Sequence, residues 1–300
     1  MKNLHKAYYK DYFKNINFNY LLLEEEIKKE QDDDRKRELK RELEKIKKDN
    51  ETKIKSKNNT LSGKELLSLI NNPISPHEHR FSLKIAYPGL VTGVGINHEA
   101  KIEGEFKLGV HFDYTWGMPV VYGSSVKGVL REYFTNIYDI FYEEDETKKR
   151  LNTIDLVHDI FCGEVRNITL EKEIYGEKWE EKVKDNDKKR KYIPKSIYNR
   201  DIFFDAVITE ADSKKRILCS DSITPHGDNP LKNPVPLTFM KIAAGCTMEF
   251  RFKLVDSKID GNDFTAEHKK ALFEEILKTV GVGAKTNVGY GQFQQIDIEK

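Results

Sequence analysis

A chain of 300 residues is long enough for one large domain or two small ones, with an interior of real size. Charged residues make up 34% and the formal net charge is only +1, which excludes a whole-molecule attraction for nucleic acid; a polyanion would have to be met by a local patch and backbone donors. Mean hydropathy is -0.66, and without a bilayer-length apolar run or a secretory leader the expected address is cytoplasmic.

The first twenty residues carry Tyr8, Tyr9, Tyr12, Phe13, Phe18 and Tyr20, a density of aromatics that seeks a core or a neighbour rather than water. Residues 21–57 are dominated by Glu, Lys, Arg and Asp, with Leu21, Leu22, Leu23, Ile27, Leu39, Leu43 and Ile46 thinly spaced among them. Strong helix formers of alternating charge predict one or two exposed helices with a narrow contact stripe. A short helical piece over 63–70 and the breaker run Asn71-Asn-Pro-Ile-Ser-Pro76 close a charged, mostly helical region, 1–76, ahead of a second unit, 77–300.

In that second unit Phe81, Leu83 and Ile85 alternate as on a half-buried strand. The glycine loop Pro88-Gly-Leu-Val-Thr-Gly-Val-Gly95 follows, then a short strand over 107–112. Gly117-Met-Pro-Val-Val-Tyr-Gly-Ser-Ser-Val-Lys-Gly-Val-Leu-Arg131 leads into a helix, 124–142, with an apolar stripe from Val126 to Phe141. Ser124 or Ser125 is the expected N-cap. Lys127 then falls in the first turn, where the helix dipole is already positive. A bound phosphate would convert that mismatch into an attraction shared by Ser124, Ser125, Lys127 and Arg131.

A helix over 153–162 ends at Gly163. The charged stretch 164–200, with Lys184-Asp-Asn-Asp-Lys-Lys-Arg-Lys191 near its centre, reads as an insertion, a mobile hairpin or solvated loop whose basic end could meet RNA. Strands are predicted over 201–208, 216–221 and 246–255. Asp221-Ser-Ile-Thr-Pro-His226 turns away after the second of these into a proline-rich run ending at Pro236. Cys162, Cys219 and Cys246 lie far apart with no Cys-x-x-Cys pair, so neither a zinc knuckle nor a disulfide framework is encoded locally, and they read as buried fillers.

Thr265 is the expected cap of a helix over 266–280 carrying Leu272, Phe273, Ile276, Leu277 and Val280 on one side. Gly281-Val-Gly-Ala-Lys-Thr-Asn-Val-Gly-Tyr-Gly291 follows, and then a closing strand over 291–298. One glycine would end the helix. Four around Lys285, with Asn287 among them, predict amides arranged around an anion. The order helix, glycines, strand is the reverse of a dinucleotide or Walker loop.

Strand 81–87, helix 124–142, strand 201–208, strand 246–255, helix 266–280 and strand 291–298 stand in βαββαβ order. An α+β fold is expected, with a ferredoxin-like (RRM-like) core and large insertions. A sheet of that kind leaves one face to RNA.

The stretches 88–95, 117–131, 221–226 and 281–291 together resemble the RAMP superfamily of CRISPR-associated proteins, over about residues 81–294. The Thr-Pro-His turn and the prolines after it are similar to the sixth-subunit family of type III-B (Cmr) effector complexes. The resemblance implies a ferredoxin-like fold and a role in antiviral defence. It implies crRNA contact near the 3′ end, target RNA as a further partner, and other Cmr RAMP subunits as neighbours. It also implies no catalytic centre, metal or cofactor in this subunit. Carried onto this sequence, it implies that Ser124, Ser125, Lys127 and Arg131 hold RNA phosphates, while Gly281, Gly283, Lys285, Asn287, Gly289 and Gly291 shape a second phosphate-binding wall.

Two other readings stay open. One is a metal-independent endoribonuclease that processes CRISPR repeat RNA with a histidine as general acid or base, for which His111, His226 and the His77-Glu-His79 pair are the candidates. The other is a scaffold docked through the N-terminal helices, without direct RNA contact.

Overall fold

The structure is a computed structural model that describes residues 3–63, 67–70, 79–93, 100, 102–107, 109–143, 151–184, 187–224 and 236–294. Helices α1 (Leu4–Tyr9), α2 (Asn19–Lys29) and α3 (Asp33–Leu61) open the chain. Asp32 caps α3 by accepting from the Arg35 amide at 2.7 Å. Glu24 pairs with Lys47, and Asn50 exchanges two hydrogen bonds with the Asn17 backbone, so α2 and α3 run antiparallel. The stripe on α3 is as narrow as its sequence predicts: Leu39, Ile54 and Leu61 are buried while the charged face is solvated.

The aromatic lead is the glue. Tyr8, Tyr12 and Tyr20 are buried, and residues 4–61 contribute to the same hydrophobic cluster as the strands that follow. The Tyr12 hydroxyl donates to Asn58 at 2.7 Å and accepts from the Phe106 amide at 2.9 Å. Burial pushes the Tyr8 and Tyr12 hydroxyls well above their ordinary range.

Next come α4 (Leu67–Ile70), β1 (His79–Ile85), β2 (His111–Phe112), β3 (Pro119–Val121), α5 (Gly123–Glu143), α6 (Thr153–Val157) with a π-helical turn His158–Cys162, and β4 (Glu164–Arg166). After them run α7 (Ile168–Tyr175), α8 (Trp179–Lys184), β5 (Tyr192–Pro194), β6 (Ile202–Phe203), β7 (Ala206–Glu210), β8 (Leu218–Ile223) and β9 (Leu237–Ile242). β10 (Thr247–Lys253), β11 (Ser257–Ile259), β12 (Asn262–Phe264), α9 (Ala266–Val280) and β13 (Phe293–Gln294) complete the order.

Among the described residues the main sheet runs β13-β1-β10-β7-β3-β2, with β6 also on β10, and every pairing is antiparallel. The fold is thus α+β. Because side chains alternate along a strand, the register Phe81↔Phe250 and Leu83↔Met248 gathers the apolar residues on one face. There Phe252 meets Phe273 of α9 at 5.5 Å, and Phe161 links Phe134 of α5 to Phe273. Each fully buried phenylalanine contributes roughly 2–3 kcal/mol of transfer free energy. The register Arg80↔Arg251, Ser82↔Glu249 and Lys84↔Thr247 puts polar groups on the other face.

Three expectations change. Strand 201–208 is broken into β6 and β7 at Phe204 and Asp205, and the closing strand starts at Phe293 rather than 291, its expected stretch beyond Gln294 lying outside the described residues. The stretch 164–200 is not a solvated loop: β4 pairs with β5, and several of its charges pair with one another or with Asp155 and Asp159. Arg166 meets Glu171, whose side chain is fully buried, at 3.0 Å, and Arg190 and Tyr192 both reach Asp155.

Beneath β10, Lys269 of α9 donates to Asp201 at 2.7 Å and to the Val255 carbonyl, with both side chains fully buried. Burial pushes the Asp201 carboxyl up and the Lys269 ammonium down, each opposed by its partner. No helix among the described residues is long and apolar enough to cross a membrane.

Candidate functional site

The glycine loop begins where α9 stops. The Gly281 amide returns to Leu277, and a positive φ of 73° turns the chain. What the remaining glycines do differs from the sequence expectation, because they bring backbone against backbone. A side chain at Gly283 would collide with the Val91 carbonyl, and one at Gly291 with the Val282 carbonyl. The loop is laced to the first glycine stretch by Ala284 N to Val91 O at 2.7 Å and Gly291 N to Gly89 O at 2.8 Å. The two glycine-rich segments are one structure.

That lacing consumes most of the donors proposed for an anion. The amides of Gly281, Val282, Ala284, Val288, Gly289, Tyr290 and Gly291 all donate to backbone carbonyls. Among the described residues, the amides of Gly283, Lys285, Thr286 and Asn287 have no backbone acceptor. Lys285 is left-handed at φ 62°, and a right-handed 3-10 turn, Thr286–Val288, follows directly. A left-handed residue followed by a right-handed one aims successive N–H groups at one point, the nest geometry that receives anions. Asn287 is exposed and Lys285 half-exposed, so the nest opens outward with its own cation.

The loop is pinned from behind by residues whose part was not visible in the sequence. The Tyr290 hydroxyl donates to Asp221 of β8 at 2.8 Å, and Lys241 of β9 donates to the same oxygen. Burial alone would raise the Asp221 carboxyl, but the hydrogen bonds from Lys241 and Tyr290 outweigh it and hold the group below its usual range. The one available signal was Asp221 at the head of the 221–226 motif.

The second predicted site is corrected in part. α5 starts at Gly123, so Ser124 and Ser125 lie inside its first turn rather than at the cap. The Gly123 amide donates to the Asp205 carboxylate at 2.7 Å, and the Ser125 and Val126 amides donate to the Tyr122 carbonyl. A protein carboxylate therefore already answers the positive helix end that was expected to face a phosphate. Lys127 lies over the Phe203 ring at 5.6 Å. Ser124, Gly128 and Arg131 are exposed, Ser125 and Lys127 half-exposed; positions 124, 128 and 131 share one helix face.

Nor does the structure bring the two sites together. α5 begins beside Asp205 and β6, level with Arg80 and Arg251, whereas the glycine loop joins the sheet beside Ile85. From Arg80 to Ile85 is about 17 Å of strand. Arg80 and Lys84 are exposed on the polar face along that span, with Arg80 3.8 Å from Glu249.

The histidines divide. His226 and His77 lie outside the described residues. His79 accepts from the Leu254 amide and lies 3.8 Å from Glu267, a structural position. His111 stacks on Tyr122 at 4.3 Å, its Nδ1 is buried with no hydrogen-bond partner among the described residues, and burial holds its pKa below the ordinary value against the opposing charge of Asp205.

An antiparallel sheet with two helices on one face and a polar second face defines the class as α+β. The family is settled by sequence: the RAMP superfamily model matches residues 82–294, and the chain belongs to that superfamily. Both glycine segments and the start of α5 fall within the match. No curated protein matches. Among solved structures, a Type III-B Cmr-beta complex bound to cognate target RNA is similar at 16% identity and a TM-score of 0.41, covering 88% of this chain and 76% of that one. Cmr6 from Pyrococcus furiosus is similar at 17% identity and a TM-score of 0.30, covering 73% of this chain and 98% of that one.

Proposed function

We propose that this chain is a non-catalytic crRNA-binding subunit of a type III-B (Cmr) effector complex, where it holds the sugar-phosphate backbone near the 3′ end and abuts other Cmr RAMP subunits. The observation that carries the reading is the nest at 285–287: three consecutive amides without an acceptor among the described residues, in a loop whose other amides are largely spent, beside a half-exposed lysine. Amides and a lysine recognise linkages rather than bases, as sequence-tolerant binding of a guide requires. The second contact is the outer face of α5, where Ser124 and Arg131 project and Lys127 lies alongside. Arg80 and Lys84 continue from the loop along the polar face of the sheet, the face opposite α5. We read the core as ferredoxin-like: the order β13-β1-β10-β7 with α5 and α9 on one face supports it.

The test is crRNA binding by the full chain across a salt series. Lys285→Ala is expected to weaken binding about tenfold, the worth of one charge-assisted hydrogen bond. It should also flatten the plot of log K against log salt by about 0.7, one phosphate on a single strand. Unchanged affinity with an unchanged slope overturns the reading in favour of the scaffold.

A second reading, the repeat-processing nuclease, rests on His111, a half-buried imidazole stacked on Tyr122, its pKa lowered by burial. Incubation with repeat RNA in EDTA decides it: a specific product lost in His111→Ala would establish cleavage.

A further inference from the structure

Where the 164–200 stretch leaves the core, the π-helical turn carries His158 at its start and Cys162 at its end. Gly163, left-handed at φ 68°, then reverses the chain so that Glu164, the first residue of β4, comes back over them. One ligand atom from each of the three lies within 4.8 Å of the other two, and His158 Nδ1 stands 3.0 Å from Glu164 Oε2. We propose that His158, Cys162 and Glu164 form a binding site for a divalent transition metal, zinc above all, with water completing the coordination.

The chemistry of the set selects the metal. A thiolate and an imidazole disfavour magnesium and calcium, which take oxygen ligands, and suit zinc, which accepts sulfur, nitrogen and carboxylate oxygen in one tetrahedron. A thiolate and a carboxylate carry two negative charges, so a divalent ion leaves the site neutral. Binding releases the Cys162 thiol proton to solvent and forms the metal–sulfur bond in its place.

The surroundings are arranged for it. The His158 ring lies flat on Tyr192 of β5, with centroids 3.7 Å apart and planes at 9°, which fixes its orientation. Neighbouring cations are already engaged and do not compete for Glu164: Lys195 pairs with Asp159, Arg166 with Glu171, and Arg200 donates to the Lys195 carbonyl. The His158 and Glu164 side chains are 32% and 37% exposed, enough to admit an ion from solution. Bound there, the metal would clamp the β4–β5 hairpin to the end of the core helix. π-turns recur at functional positions because their wider pitch re-aims side chains. Nothing in the sequence flagged the set, since His-x3-Cys-x-Glu matches no familiar zinc spacing.

The experiment uses the full-length, tag-free chain stripped of metal and titrated with cobalt(II), then zinc. A thiolate-to-cobalt charge-transfer band saturating at one equivalent, erased by zinc and absent in Cys162→Ser, is expected. His158→Ala and Glu164→Gln should weaken cobalt binding by at least about tenfold, and circular dichroism of each variant confirms its fold. No band in the parent protein, or a band that survives Cys162→Ser, overturns the proposal and leaves an ordinary His158–Glu164 hydrogen bond beside a filler thiol.

Discussion

Lys269 and Asp201 show how a single residue carries more than its own contacts. Both side chains are fully buried, and their hydrogen bonds go to each other and to the backbone at Val255. Removing one leaves an uncompensated charge in the interior, so Lys269→Met should destabilise the chain by about 3–5 kcal/mol, while Lys269→Met with Asp201→Leu should recover most of that loss; urea titrations of the three proteins measure it. Asp221 behaves differently because it is wetter. Its folded-state pKa lies below the ordinary 3.8, so its contribution is complete above that pH and is lost as pH falls through the folded value. Unfolding midpoints across pH 2.5–6 should therefore show a steeper acid decline in the parent than in Asp221→Asn. At this scale the sequence was half legible. Lys285 stood out as the one cation among four glycines, but Asp205 and Tyr290 gave no sign of themselves, because their partners lie 82 and 69 residues away.

Among the elements, α5 and the glycine loop make opposite demands on glycine. Gly128 sits on the exposed face of α5 with nothing within 4 Å of the place its Cβ would occupy, so the protein's own packing does not require it. Gly128→Ala should stabilise the chain by about 0.5–1 kcal/mol, and if RNA approaches that face closely, the same change weakens binding. Stability rising while affinity falls is the signature; affinity unchanged would remove α5 from the interface. Gly283, at φ 102° against the Val91 carbonyl, has no room. Gly283→Ala should cost about 2 kcal/mol or more from left-handed strain and a displaced loop, visible as a lower denaturation midpoint. The long elements were legible because α5, α9, β1 and β10 announce themselves by period. β2, β3 and β6 are only two or three residues long, too short for alternation to register. The use of the glycines escaped because close approach of two distant backbones leaves no mark on either alone.

At the scale of the whole molecule, the N-terminal helices join the main core. Tyr8 packs on Phe112 at 5.7 Å and Tyr12 on Phe106 at 6.1 Å, so deleting residues 1–61 would uncover both phenylalanines. That truncation is expected to bind a hydrophobic dye and to unfold without a cooperative transition, as scored by fluorescence and calorimetry. The aromatic lead pointed to this burial, although not to what it would cover. A different consequence follows from β13 lying beside β1, and from the Gly291 amide closing on Gly89. During synthesis on the ribosome, the strand near position 80 must wait for a partner made more than 200 residues later, with its edge unpaired meanwhile. The lacing of the two glycine segments, and with it the nest at 285–287, therefore forms only after residue 291 has emerged.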